Sequence, residues 1–197
     1  MDRFKTILLG SLLPLLASCS SPGLCTTAGD AEAQFNLAWK YANGEGVPEN
    51  DAEAVKWYRK SAEQGYTKAQ FNLAVMYDYG EGVPENDAEA VKWYRRSADQ
   101  GNADAQYNLA VMYANGEGVP EDDAEAVTWF RRSAEQGYTK AQFNLGVMYA
   151  NGEGVPENNV FAHKWLNLAK VGGDENAGNV LEIIIPRMTK EQIAEAQ

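Results

Sequence analysis

Histidine and cysteine are nearly missing from this sequence: there is one histidine, His163, and there are two cysteines, Cys19 and Cys25. A Ser-His-Asp set needs a positioned base, so any such set would have to be built on His163. A zinc site made of His and Cys needs more ligands than the chain has. Ser-x-x-Lys does not occur, because Ser61, Ser97 and Ser133 open Ser-Ala-Glu-Gln or Ser-Ala-Asp-Gln. That removes the nucleophile–base pair of serine β-lactamase chemistry. Cationic residues are in the minority: 17 Lys and Arg stand against 28 Asp and Glu, for a net charge of −11. Such acidity argues against nucleic acid as a partner and against a basic face for anionic lipid. The N-terminal apolar run Ile7–Leu16 is too short for a comfortable membrane span. No catalytic residue, metal or cofactor is expected, and His163 reads as a half-buried structural residue.

The chain does have repetition. Ala69–Gly101 returns as Ala105–Gly137, a shift of 36 residues, with 26 of 33 positions identical. A fixed period of this size signals a solenoid or array. Apolar residues at 45% and charged residues at 23% suit a globular chain. Four copies are expected at 33–68, 69–104, 105–140 and 141–176.

Each copy reads as two helices. At 100° per residue, Ala69, Leu73, Met76 and Tyr77 share one side of the first helix, and Phe71, Val75, Asp78 and Tyr79 the other. Thr67 with Gln70, and Thr139 with Gln142, are spaced as capping boxes. Gly80 and Gly82 stop the helix, and Pro84 keeps the linker from rewinding. Asn86, with Glu89 three residues on, starts a second helix. Ala90, Trp93, Tyr94, Ser97 and Ala98 form its largely apolar stripe. One hairpin cannot bury that stripe alone, but stacked copies can. The loop Gly80-Glu81-Gly82-Val83-Pro84 lacks phosphate-cradle spacing, and Glu81 would repel a phosphate, so it reads as an interhelix turn. Asn86-Asp87 and Asp122-Asp123 lack the EF-hand order of calcium ligands and read as caps.

The recurring pattern A-x-x-x-L-A/G-x-x-Y-x-x-G-x-G-V-P-x-x-D-x-x-x-A-V-x-W-Y/F-x-x-S-A-x-Q-G resembles the Sel-one-like repeat (SLR) family, relatives of the tetratricopeptide repeat. The resemblance covers Ala33 to about Gly173. One departure recurs: Ala38, Ala74 and Ala110 stand where the family usually has Gly, which appears only at Gly146. The resemblance implies an all-α, right-handed α-solenoid of helix-turn-helix repeats with C-terminal capping helices. It also implies an adaptor that binds a protein or peptide and is not an enzyme. A cysteine-rich branch of the family is associated with β-lactam binding and hydrolysis. The alternative reading, binding or hydrolysis of β-lactams or cell-wall fragments, therefore stays open beside that of a host-facing surface lipoprotein.

The ends differ from the repeats. Arg3 and Lys5 precede the apolar run, and Leu16-Ala17-Ser18-Cys19 resembles a bacterial lipobox. That resemblance implies a signal peptide over 1–18 and lipidation of Cys19, the only route to a membrane expected here. Ser20 after the cysteine implies the outer membrane, most simply its periplasmic face. Residues 19–29, rich in Ser, Gly, Thr and Pro, read as a flexible tether carrying Cys25. The fourth repeat decays, and residues 177–197 read as a cap in which Ala177 and Leu181 match Ala141 and Leu145. Pro186 ends this half repeat, and Thr189 with Gln192 caps a last short helix.

The first-helix face away from the core carries three rows. Phe35, Phe71, Tyr107 and Phe143 form an aromatic row. Trp39, Val75, Val111 and Val147 run beside it, followed by Asn43, Tyr79, Asn115 and Asn151. Rings supply apolar area and amides pair with a peptide backbone, so the rows suit an extended peptide. The aromatic row suits equally a wedge between adjacent repeats.

Overall fold

A computed structural model describes residues 30–196. Eight helices of 13 residues come in four pairs: α1 (Ala31–Asn43) with α2 (Asp51–Glu63), α3 (Thr67–Tyr79) with α4 (Asp87–Asp99), α5 (Ala103–Asn115) with α6 (Asp123–Glu135), and α7 (Thr139–Asn151) with α8 (Asn159–Val171). Then come α9 (Ala177–Ile184), a 3₁₀ turn (Ile185–Arg187) and α10 (Lys190–Ala196). From α2 to α9 each helix packs on the one before it, α10 folds back onto α8, and no strand occurs among the described residues. This is the expected α-solenoid. The expected lipid site Cys19, the signal peptide, the tether and Cys25 lie outside the described residues.

Caps set where the second helices begin and where the first helices end. Oδ1 of Asn50, Asn86 and Asp122 accepts from the backbone N–H three residues on, at 3.0–3.1 Å. Gly80 closes α3 in the left-handed conformation, φ 68°, which costs a residue without Cβ little. Gly82 is required for another reason. A Cβ there would fall 2.4 Å from the carbonyl carbon of Asp51, at the start of the preceding repeat's second helix. The interhelix turn therefore also locks one repeat onto the last.

Two of the expected capping boxes are not formed. Tyr66 and Tyr138 precede α3 and α7 and give no side-chain cap. Gln70 and Gln142 turn into the core instead. Their Nε2 donates to Ala62 O (3.1 Å) and Ala134 O (3.2 Å) of the preceding repeat, as Gln106 does to Ala98 O (3.0 Å). Gln100 Nε2 in turn donates to Gln70 Oε1 at 2.6 Å, and the Thr67 hydroxyl donates to Gln100 Oε1 at 2.8 Å. A buried amide needs partners at both ends, and the carbonyls of Ala62, Ala98 and Ala134, which each already accept one backbone N–H, take the glutamine N–H on their second lone pair. The box at Thr189 and Gln192 does form, with reciprocal bonds of 2.9 and 3.2 Å.

The second-helix stripe is fully inside: Ala90, Trp93, Tyr94, Ser97 and Ala98 are all buried. Burying each such large side chain stabilises the fold by about 1.5–3 kcal/mol. The Ser97 hydroxyl donates to Thr67 O at 3.0 Å, tying the two helices of a repeat together. Arginines of the second helices reach the tyrosines of the next repeat, Arg95 to Tyr113 and Arg131 to Tyr149. At the C-terminal end Ala177, Leu181 and Ile184 cover the last apolar face.

Candidate functional site

The first helices α1, α3, α5 and α7 present the predicted rows one repeat apart. Their exposure is graded. Phe35, Phe71, Tyr107 and Phe143 are half-buried and pack against the core, as do Val75, Val111 and Val147. Phe71 and Val75 were expected on the side away from the core, yet they seal its edge. A helix with an apolar arc this wide has no cleanly polar side. Trp39 is 40% exposed and Tyr79 71%. Asn43, Asn115 and Asn151 are exposed.

The aromatic row joins both readings given for it. Phe35 stacks at a tilt on Tyr58 of its own repeat (5.7 Å) and on Tyr66, the residue that leads into α3 (5.2 Å). Tyr107 does the same with Phe130 (5.7 Å) and Tyr138 (5.1 Å). Phe71 has only Tyr94 (5.9 Å), because Asn102 stands where Tyr66 and Tyr138 stand. Each ring thus gives one edge to packing and leaves the other at the surface.

Hollows open between successive first helices. One, of about 500 Å³, brings together Val111, Asn115, Phe143 and Val147 with Glu121 and Glu153. Another, of about 250 Å³, brings together Trp39, Asn43, Phe71 and Val75 with Glu81. Eight of the twelve predicted groove residues therefore share two hollows at equivalent places. Phe35, Tyr79, Tyr107 and Asn151 line neither. The amides are partly committed: Asn43 Nδ2 donates to Trp39 O (2.8 Å), Asn115 to Glu117 (3.3 Å) and Asn151 to Glu153 (3.0 Å).

Sequence reasoning missed a second asparagine row, Asn36, Asn72, Asn108 and Asn144, directly after the aromatics. Asn72 Nδ2 donates to the Tyr58 hydroxyl at 3.0 Å. Asn108 bonds the Tyr94 hydroxyl in the same way. In the third repeat the partner changes: Phe130 has no hydroxyl, and Asn144 bonds Tyr107 instead. It also missed Asp78, which stands where Ala42, Ala114 and Ala150 stand. Asp78 Oδ2 accepts from the Tyr94 hydroxyl at 2.9 Å. Burial, then the charges of Asp87, Glu117 and Glu85, push its carboxyl above the usual range, partly opposed by the Tyr94 bond. Aligning the repeats by position would have flagged this substitution.

His163 is more buried than expected, at 4% exposed. Burial lowers its pKa, against a backbone bond at Ala196, and Asn167 Nδ2 lies 3.0 Å from its Nδ1. No group of three or more His, Cys, Asp or Glu among the described residues is placed to hold a metal ion, and no described helix is long and apolar enough to cross a membrane.

A Sel1 repeat family model matches residues 31–66, 67–102, 103–138 and 139–170. No curated protein matches the chain. A protective antigen of uropathogenic Escherichia coli with an SLR fold is 41% identical over 81% of this chain and 34% of its own, with a TM-score of 0.77. A Sel1 repeat protein from Oxalobacter formigenes is 38% identical over 75% of this chain and 61% of its own, with a TM-score of 0.73. The chain thus spans about a third and three fifths of these two relatives. Helicobacter pylori cysteine-rich protein B shares the fold at 22% identity, with a TM-score of 0.52 over 66% of this chain and 96% of its own.

Proposed function

Because this chain belongs to the Sel1 repeat family, whose members are generally protein-interaction scaffolds and typically non-catalytic, we propose that it is a non-enzymatic adaptor that holds an extended segment of a partner protein along its first-helix face. The observation that carries this reading is the recurrence of the same hollow. Trp39, Asn43, Phe71 and Val75 come back as Val111, Asn115, Phe143 and Val147, two repeats away. An extended chain repeats its own side chains along a line, and a periodic surface matches it in that respect. The adaptor is tethered through lipid on Cys19 to the outer membrane, a reading supported by the signal-like start and by Leu16-Ala17-Ser18-Cys19.

Site-specific photo-crosslinking in the native host tests the adaptor. A benzophenone side chain at Val111 on the first-helix face is expected to give a discrete protein adduct, and one at Lys92 on a second helix is not. Adducts of equal yield from both sites, or none from Val111, would refute it. Fractionation tests the tether: Cys19→Ser is expected to leave the membrane pellet with helicity unchanged.

The relative described as a protective antigen favours a second reading of location, on the host-facing surface. Protease treatment of intact cells separates the two, since a periplasmic adaptor survives it.

A further inference from the structure

The charges are sorted by element. Every arginine of the repeats, at 59, 95, 96, 131 and 132, lies on a second helix. The loops that follow the first helices carry Glu45, Glu49, Glu81, Glu85, Glu117, Glu121, Glu153 and Glu157 and no Lys or Arg. The ion pairs found among the described residues, Lys56–Glu53 and Lys92–Glu89, are local contacts on second helices. The first helices do carry Lys40, Lys68 and Lys140, but none of these lines either hollow, so the first-helix face has apolar hollows edged by carboxylates with no ion pair among the described residues. At its centre, between those hollows, the repeat pattern breaks. Asp78 replaces alanine, and Tyr79 replaces asparagine and is the most exposed ring of the three predicted rows. Asp78 is oriented by Tyr94, lies within reach of the charges of Asp87, Glu117 and Glu85, and has no cationic partner among the described residues.

We propose that this centre is a subsite for a basic side chain, and that the segment held along the first-helix face is an extended peptide with a Lys or Arg between apolar residues. The proposal rests on the adaptor reading above and names the partner's chemistry. The Asp78 carboxylate takes the cation through a charge-assisted bond, and the Tyr79 ring offers a π-face to the same group. The apolar flanks of the peptide enter the hollows of Trp39–Val75 and Val111–Val147. A second copy of this chain does not fit the charge, since its own net charge is −11. Asp78 also works against folding, because it is a carboxylate partly desolvated among like charges where alanine serves in three other repeats. A residue with that cost is explained by what it binds.

Four first helices at roughly 10 Å per layer span on the order of 30 Å, which about nine extended residues cover. The test is therefore selection of a displayed library of random peptides, about twelve residues long, on the full-length chain. The enriched pool is expected to carry Lys or Arg flanked by apolar residues. A selected peptide measured by fluorescence anisotropy should bind about tenfold more weakly to Asp78→Ala and unchanged to the second-helix control Glu63→Ala. Binding should fall as NaCl rises. An enriched pool that is neutral or acidic would overturn the basic subsite and leave the peptide groove standing. Basic peptides that bind Asp78→Ala as well as wild type would assign the preference to the general acidity and overturn Asp78 as its centre. Failure to enrich any peptide overturns the proposal, and the Val111 crosslink then decides the adaptor reading separately. Alanine at three equivalent positions makes Asp78→Ala a variant that folds.

Discussion

A Cβ placed on Gly118 would lie 2.4 Å from the carbonyl carbon of Asp87, the first residue of the preceding repeat's second helix. Gly82 and Gly154 meet Asp51 and Asp123 in the same way. Gly46 has the same backbone, φ 76° against 68°, but nothing lies within 4 Å of its Cβ position. One motif glycine thus serves two purposes, and Gly46 separates them. Gly46→Ala should cost only the left-handed strain, about 1–2 kcal/mol. Gly118→Ala should cost that plus a backbone clash, roughly 1–3 kcal/mol more. Urea denaturation of both variants checks this, and equal losses would show that the inter-repeat contact does not matter.

Asp78 makes stability depend on pH in a defined direction. Its folded-state pKa is raised, chiefly by burial and then by neighbouring carboxylates. A carboxyl with a raised folded pKa contributes stability that is present below its unfolded value, about 3.9, and lost as pH rises through the folded value. Asp78→Asn removes that loss and keeps an oxygen for the Tyr94 hydroxyl. The variant should therefore melt above wild type at pH 7, with the gap narrowing as pH falls toward 4. Thermal melts at both pH values test this. A variant that melts lower at pH 7 would show that the charge is compensated.

Tyr107 and Phe130 have exchanged roles relative to Phe71 and Tyr94. In the second repeat the hydroxyl that serves the next asparagine sits on the second helix, and in the third it sits on the first. Tyr107→Phe should therefore leave Asn144 short of a partner and cost about 1 kcal/mol. Phe130→Tyr in the same chain should restore most of it. A double-mutant cycle by chemical denaturation reads the coupling directly. Additive effects would mean that Asn144 is satisfied elsewhere.

Much of the fold was legible because the repeat states it four times. The helix stops at Gly80 and Gly116, the starts at Asn86 and Asp122, and the stripe Ala90–Trp93–Tyr94–Ser97–Ala98 follow from spacing alone. What was not legible depends on neighbours. Thr67 and Gln70 have the spacing of a local cap, but stacking brings the Ala62 carbonyl within reach, and a buried amide takes the longer-range partner. The half-burial of Phe71 was hidden for the same reason, since a helical wheel does not show that Tyr94 lies beside it. Of the candidate site, the rows were readable and the hollows joining them were not, because each hollow is made by two repeats. Asp78 was readable in principle: it breaks a period the sequence otherwise keeps.

The C-terminal end should unfold in two unequal steps. α9 buries Ala177, Leu181 and Ile184 against the last repeat, whereas α10 has no fully buried residue and touches α8 near His163. Removing residues 189–197 should lower the melting temperature slightly. Removing residues 174–197 also strips the cover from the fourth repeat. With Leu181 and Ile184 each worth about 1.5–3 kcal/mol, roughly 3–6 kcal/mol is lost. Because a solenoid repeat draws its stability from its neighbours, that loss should fall first on α7 and α8 and expose Leu166 to self-association. Thermal melts with light scattering on the two truncations measure both effects. Equal, small shifts and a monodisperse sample in both cases would show that repeat four stands without its cap.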